Sequence, residues 1–207
     1  RLRCDWSSDV CSSDLGNKSE CLQLSVKIEE FLKSLPNNII SGDNVQLPEY
    51  SFRRIFKFLD LNEKDIFYHL GCGDGKGIAI ASEEFNVKKA VGVENNKENI
   101  QQAEKLLKKK NLKNIELLFE DIKTAKINDA TVVLFWFTDN DIIETMMKKF
   151  ESLQHGSRII TIWGPLPGCL PAKVDFPYII NTVPFKSADL KEQLLAIFDT
   201  KCIDFVT

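Results

Sequence analysis

The sequence predicts an α/β fold, a doubly wound and mostly parallel sheet with helices on both faces. Three observations predict it. Short, nearly unalternated apolar runs, "DIFYHL" (65–70), "AVGVE" (90–94), "IELLFE" (115–120), "ATVVLFWF" (130–137) and "SRIITIW" (157–163), read as strands buried on both faces. Between them stand "GIAIASEEF" (77–85), "NKENIQQAEKLLKKK" (96–110) and "NDIIETMMKKFESL" (140–153), each with polar residues at helical intervals. A glycine-rich turn, "LGCGDGKG" (70–77), joins the first strand to the first of these helices, where folds of this class cradle ligands. Strands alternating with helices make βαβ units, and right-handed crossovers turn such units into a parallel sheet.

Upstream, "LQLSVKIEEFLKSL" (22–35) carries a helical stripe that Pro36 ends. A loop rich in Asn, Gly and Pro follows (37–50), and "SFRRIFKFLDL" (51–61) resumes helical spacing. Downstream, "GPLPGCLPAKVDFP" (164–177) reads as a rim loop. "YIINTVPF" (178–185) reads as a strand, "SADLKEQLLAIF" (187–198) as a helix capped by Ser187, and "CIDFVT" (202–207) as the start of a further strand. An ending on an apolar run leads us to expect that the natural chain continues. At the other end, Arg3 to Leu15 resembles a translated sequencing adapter, so residues 1–15 are treated as a non-native scar. The organisation expected is N-terminal helices and a lid over 16–62, then a ligand-binding domain over 63–207.

Composition narrows the function. The 207 residues are 43% hydrophobic and 28% charged, ordinary for a globular chain. A net charge of −3 argues against gripping nucleic acid by bulk electrostatics. The lysines at 105, 108, 109 and 110 crowd the last turns of one helix, where cations offset its dipole. With Cys4 and Cys11 set aside, Cys21, Cys72, Cys169 and Cys202 form no CxxC pair, which points to reduced thiols and a cytoplasmic setting. No apolar stretch approaches the ~20 residues of a membrane span.

The glycine loop excludes two of its three candidate ligands. A dinucleotide fingerprint starting at Gly71 or Gly73 needs glycine at 76 or 78, which are Lys76 and Ile78. A P-loop needs a hydroxyl after the lysine, and Gly77 stands there. S-adenosyl-L-methionine (SAM) has no phosphate and needs close main-chain approach, which alternate glycines allow. "VGVENN" then supplies Glu94 and Asn95 about 20 residues on, where a carboxylate accepts the ribose hydroxyl protons.

These features, with "YSFRRIF" before "LGCGDGKG", "AVGVE", "FEDI" and "VVLFWF", resemble the class I, seven-stranded SAM-dependent methyltransferases over roughly Tyr50 to Trp163. Within that class they are most similar to the non-SET protein-lysine methyltransferases. The resemblance implies SAM as cofactor, with Gly71, Gly73 and Gly75 forming the methionyl cradle, Cys72 and Asp74 in the same cofactor-binding loop, and Glu94 binding the ribose. It further implies that Asp121 and the Ile122 backbone face the adenine. Where the family has an acidic residue against the cofactor's ammonium, this chain has His69. That substitution predicts weaker cofactor binding, falling as pH drops through the histidine's titration, and it keeps a catalytically silent SAM-binding scaffold in play as a rival.

The acceptor site is expected at the end of the fourth strand, "FWFTDN", which lacks the Asn/Asp-Pro-Pro-Tyr/Phe signature of enzymes acting on base amines or glutamine amides. Aromatic walls suit a lysine, because an apolar channel favours the uncharged amine and holds the methylated cation. Trp136, Phe137 and Thr138 are the expected acceptor-site residues, with Tyr50 and Phe52 as a lid. On strand alternation Phe135 and Phe137 share one face and Trp136 the other, so core packing competes with a channel role. The expected partner is a protein lysine; small-molecule or RNA acceptors are the alternatives.

Overall fold

The structure is a computed structural model that describes residues 46–137 and 139–198. The expected helix at 22–35, the run at 202–207 and Thr138 lie outside the described residues. β1 (Ile66–Leu70) is central in a seven-stranded sheet. To one side lie β2 (Lys89–Glu94) and β3 (Ile115–Phe119), to the other β4 (Val132–Phe135) and β5 (Arg158–Ile162), all parallel. β7 (Tyr178–Thr182) pairs antiparallel with β5, and β6 (Lys173–Asp175) antiparallel with β7, giving the order β3-β2-β1-β4-β5-β7-β6. β6 corrects the expectation that 164–177 is all loop; three residues flanked by prolines give too short a pattern to register.

Five helices are described: α1 (Glu49–Phe58), α2 (Lys76–Glu83), α3 (Lys97–Lys110), α4 (Asn140–Glu151) and α5 (Leu190–Phe198). Local chemistry fixes their starts. Asn96 accepts from the amides of Glu98 and Asn99, and Asp139 from that of Ile142, each relieving an orphan donor of the first turn. Ser187 is not the cap of α5. Asp189 is, in a reciprocal box where Glu192 N donates to Asp189 and Asp189 N donates to Glu192. Ser187 instead forms a β-bridge with Cys169.

The two faces of the sheet carry separate cores. α1 and α2 bury Phe52, Ile55, Phe56, Ile78 and Ile80 against Phe67 and Leu134. α4 buries Met146 and Phe150 against Tyr68, Val133 and Phe135, together with Ile122 and Ile127 from the β3–β4 connection. Strand alternation assigns the neighbours: Phe67 and His69 point to the α1 side, Tyr68 and Leu70 to the other. α1 is therefore part of the sheet's core. Phe52, expected in a lid, is buried, whereas Tyr50 is 72% exposed. Among the described residues no helix is long and apolar enough to cross a membrane.

The parallel strands place Leu70, Glu94, Phe135 and Ile162 at one edge of the sheet. That edge carries the candidate site.

Candidate functional site

The glycine turn is tied down by its own amides. Gly71 N and Cys72 N both donate to Val93 O, Gly75 N donates to Cys72 O, and Lys76 N to Asp74 Oδ1. Lys76 Nζ also pairs with Asp74 Oδ2 at 2.7 Å, so these two side chains order the turn together. With those amides engaged, the loop is not the amide nest that a phosphate needs. No donor among the described residues reaches the carbonyl oxygens of Gly71 or Gly73.

Two glycines are required by geometry. Gly75 caps α2 in the left-handed region (φ 79), and a Cβ there would lie 2.9 Å from that of Ala103 in α3. Gly71 (φ 74) lies under the Phe137 ring, 3.1 Å from where its Cβ would be. Cys72 turns its thiol inward against Gly92, and burial pushes its pKa up to about 12. Only its main chain borders the rim.

Glu94 is the anchor of the site. Its carboxylate, buried at the end of β2, accepts from Gly73 N at 2.9 Å and from Asn96 N at 2.8 Å, one bond to each oxygen. It thereby fixes the glycine turn and the start of α3 together. A carboxylate has about four lone-pair sites, so each oxygen retains capacity for a hydroxyl donor. Asn95 beside it is exposed.

On the next strand Glu120 N donates to Glu94 O, which brings the Asp121 turn to the same rim. Asp121 Oδ1 accepts from Lys123 N, and its carbonyl accepts from Thr124 and Ala125. Asp121 is exposed while the Ile122 side chain is buried. Asp121 thus shapes a turn and keeps its second carboxylate oxygen at the surface.

The other half of the rim is aromatic. Phe135 is core, stacked on Phe137 at 5.1 Å and edge-on to Phe150. Phe137 and Trp136 are half-buried on opposite faces, as alternation requires. His69 is buried edge-on against Phe52 at 5.5 Å, and its Nδ1 lies 2.9 Å from where a Cβ on Gly77 would stand. His69 Nδ1 and Trp136 Nε1 are the two buried side-chain polar atoms without a partner among the described residues. Burial lowers the His69 pKa to about 4, against a smaller opposing pull from Asp74. Burial thus moves the histidine's titration, through which cofactor affinity is expected to fall, below its ordinary range.

One residue here escaped the sequence reading. Gln46, in the extended segment before α1, lays its side-chain amide over Gly73, where a Cβ would strike it, and its Oε1 faces Asp74 N at 3.5 Å. Nothing in the pattern around Gln46 marks it, because the contact comes from where the chain enters α1.

Residues 62–161 match the family described as Methyltransferase domain. The protein-lysine N-methyltransferase of Saccharolobus islandicus (strain REY15A) is 35% identical over 132 residues, spanning 63% of this chain and 81% of the relative. The chain belongs to the class I SAM-dependent methyltransferases. Solved structures share the methyltransferase's fold. The RNA methyltransferase of Salinibacter ruber, in complex with S-adenosyl-L-homocysteine (SAH), has a TM-score of 0.63 at 24% identity, covering 70% of this chain and 97% of its own. The precorrin 8w decarboxylase of Methanobacterium thermoautotrophicum has a TM-score of 0.50 at 21% identity, covering 61% and 67%. The methyltransferase's rim fits SAM on its own chemistry. It offers a carboxylate with spare acceptor capacity, glycine carbonyls for an ammonium, and no vacant amide nest for a phosphate.

Proposed function

We propose that this methyltransferase acts on an amine, and that its acceptor is a protein lysine side chain. The observation that carries the reading is the end of β4, where Phe137 stands half-buried over Gly71, and Trp136 half-buried on the opposite face, in place of a polar amide-binding motif. The 35% identity to a protein-lysine N-methyltransferase supports it.

In this reading the Gly71 and Gly73 carbonyls accept from the methionyl ammonium, with Gln46 and Asp74 beside them. Glu94 accepts from the ribose hydroxyls, with Asn95 bordering the same sugar. Asp121 and the Ile122 amide take the adenine edge. Neutral His69 packs beneath the turn and supplies no charge to the ammonium.

SAM supplies a methyl group on a sulfonium, open to in-line displacement by a neutral amine. The chain's task is then positioning, which can contribute about 7–11 kcal/mol. Phe137, over Gly71, excludes water around the incoming nitrogen and lowers the cost of its neutral form. In this reading Tyr50, exposed at the start of α1, meets the peptide that carries the lysine, and Thr138 follows the aromatic pair in sequence.

The test is transfer of labelled methyl from SAM into a lysate separated into protein, RNA and small-molecule fractions, with hydrolysis of the protein to amino acids. Label in N-methyl-lysine, abolished by Glu94→Ala, is expected. Label confined to RNA or small molecules would refute the lysine reading.

A further inference from the structure

The β3–β4 turn that borders the rim is held from below by α4. Lys149 Nζ donates to Ile122 O at 3.1 Å and to Ala125 O at 2.7 Å. A second tie joins the same two elements at the surface, Lys123 Nζ to Asp141 Oδ2 at 2.9 Å. Lys149 is partly buried, which lowers its pKa from the ordinary lysine value, while Asp121 and Glu120 oppose that shift. Its bonds end on carbonyl groups and leave the Asp121 carboxylate unpaired by it. In sequence Lys149 is one more cation in the last turn of an amphipathic helix; the geometry gives it a specific task.

We propose that Lys149 is a positioning residue for the cofactor's adenine, holding the Ile122 and Ala125 carbonyls so that the Asp121 carboxylate and the Ile122 amide face the ring. This rests on the reading above that the Asp121 turn receives the adenine. The physical argument is direct. A peptide whose carbonyl is pinned has its plane pinned as well. An ammonium–carbonyl bond is charge-assisted and stronger than a neutral one. The Ile122 carbonyl shares its peptide plane with the Lys123 amide, and that amide donates to Asp121 Oδ1, so pinning the carbonyl also fixes the donor that orients the Asp121 carboxylate. The exposed Lys123–Asp141 pair is screened by solvent and contributes little.

The experiment compares two ligands in the full chain by titration calorimetry: SAH, and S-ribosylhomocysteine, which has the sugar and amino acid but no adenine. Lys149→Met is expected to weaken SAH by about tenfold, the scale of one charge-assisted bond, and to leave S-ribosylhomocysteine unchanged. Lys149→Arg, whose fork can reach both carbonyls, is expected to restore most of the SAH affinity. Lys148→Met, which removes the neighbouring exposed charge, should alter neither. A general loosening of the protein would weaken both ligands together, and that outcome, or no change in either, would overturn the proposal. Failure of wild type to bind SAH would instead sink the cofactor reading. If Asp121→Ala leaves the ratio of the two affinities intact, the placement of the adenine is wrong and the role of Lys149 falls with it.

Discussion

The two edges of the parallel sheet are built from the same strands and spend their polar groups differently. At the edge where the strands begin, Asp65 accepts from Arg158, Thr131 and the Asn62 amide, Arg158 also donates to Leu59 O, and Ser157 donates to Ala130 O. Protein atoms saturate these groups. At the edge where the strands end, Glu94 keeps one acceptor site on each oxygen, and among the described residues glycine carbonyls lack donors while His69 Nδ1 and Trp136 Nε1 lack partners. Polar groups saturated by protein atoms lock a fold, whereas a rim with spare acceptors can take a ligand's donors. The comparison therefore separates residues that hold the sheet from residues at the rim proposed to receive the cofactor.

The largest effect should come from breaking the first edge. Arg158→Met strands the buried Asp65 carboxylate, and denaturant unfolding should register a loss of about 3–5 kcal/mol. SAH affinity of the folded fraction should stay within about twofold, because none of those groups reaches the rim. A parallel loss of affinity would erase the distinction between the edges.

His69 comes next. Its folded pKa near 4 lies below the ordinary 6.5, so the unfolded chain binds the extra proton between those values. Stability present above about pH 6.5 is lost as pH falls toward 4, on the order of 3 kcal/mol in all. His69→Gln should flatten that segment of a melting-temperature profile. An unchanged slope would mean that the imidazole is not buried neutral.

Gly75→Ala should cost about 2–3 kcal/mol, from a left-handed alanine and from crowding Ala103. Tyr50→Ala should have the smallest effect on stability, within about 0.5 kcal/mol, as an exposed side chain. It should raise KM for the protein acceptor while leaving KM for SAM alone. Equal change in both would remove Tyr50 from the acceptor side.

Much of the cofactor half was legible in sequence because its chemistry is local. Glycine spacing excludes phosphate ligands, and Glu94 follows at the end of the next strand. The inner strands from 65 to 163 were legible because burial on both faces leaves unbroken apolar runs; β3, at the sheet's end, departs from that expectation, with Phe119 58% exposed. What was not legible depends on packing between distant segments. Gln46 reaches Gly73 only through the path of the chain into α1, and Lys149 looks like a dipole-compensating lysine until Ile122 and Ala125 are placed beside it. The lowered pKa of His69 likewise comes from burial, to which Phe52, seventeen positions away and in another element, contributes. Phe52 belongs to the core and not to a lid; a phenylalanine upstream of a site reads the same in sequence whether it covers the ligand or the core.

The central claim is that Glu94 joins the glycine turn to the cofactor's ribose, and calorimetric titration of SAH into wild type and Glu94→Ala tests it most directly. The expected result is saturable binding by wild type, weakened by about a hundredfold in the variant as the ribose bonds and the Gly73 tether are lost together, with NAD and ATP binding neither protein. Equal SAH affinity in the two proteins would contradict the claim.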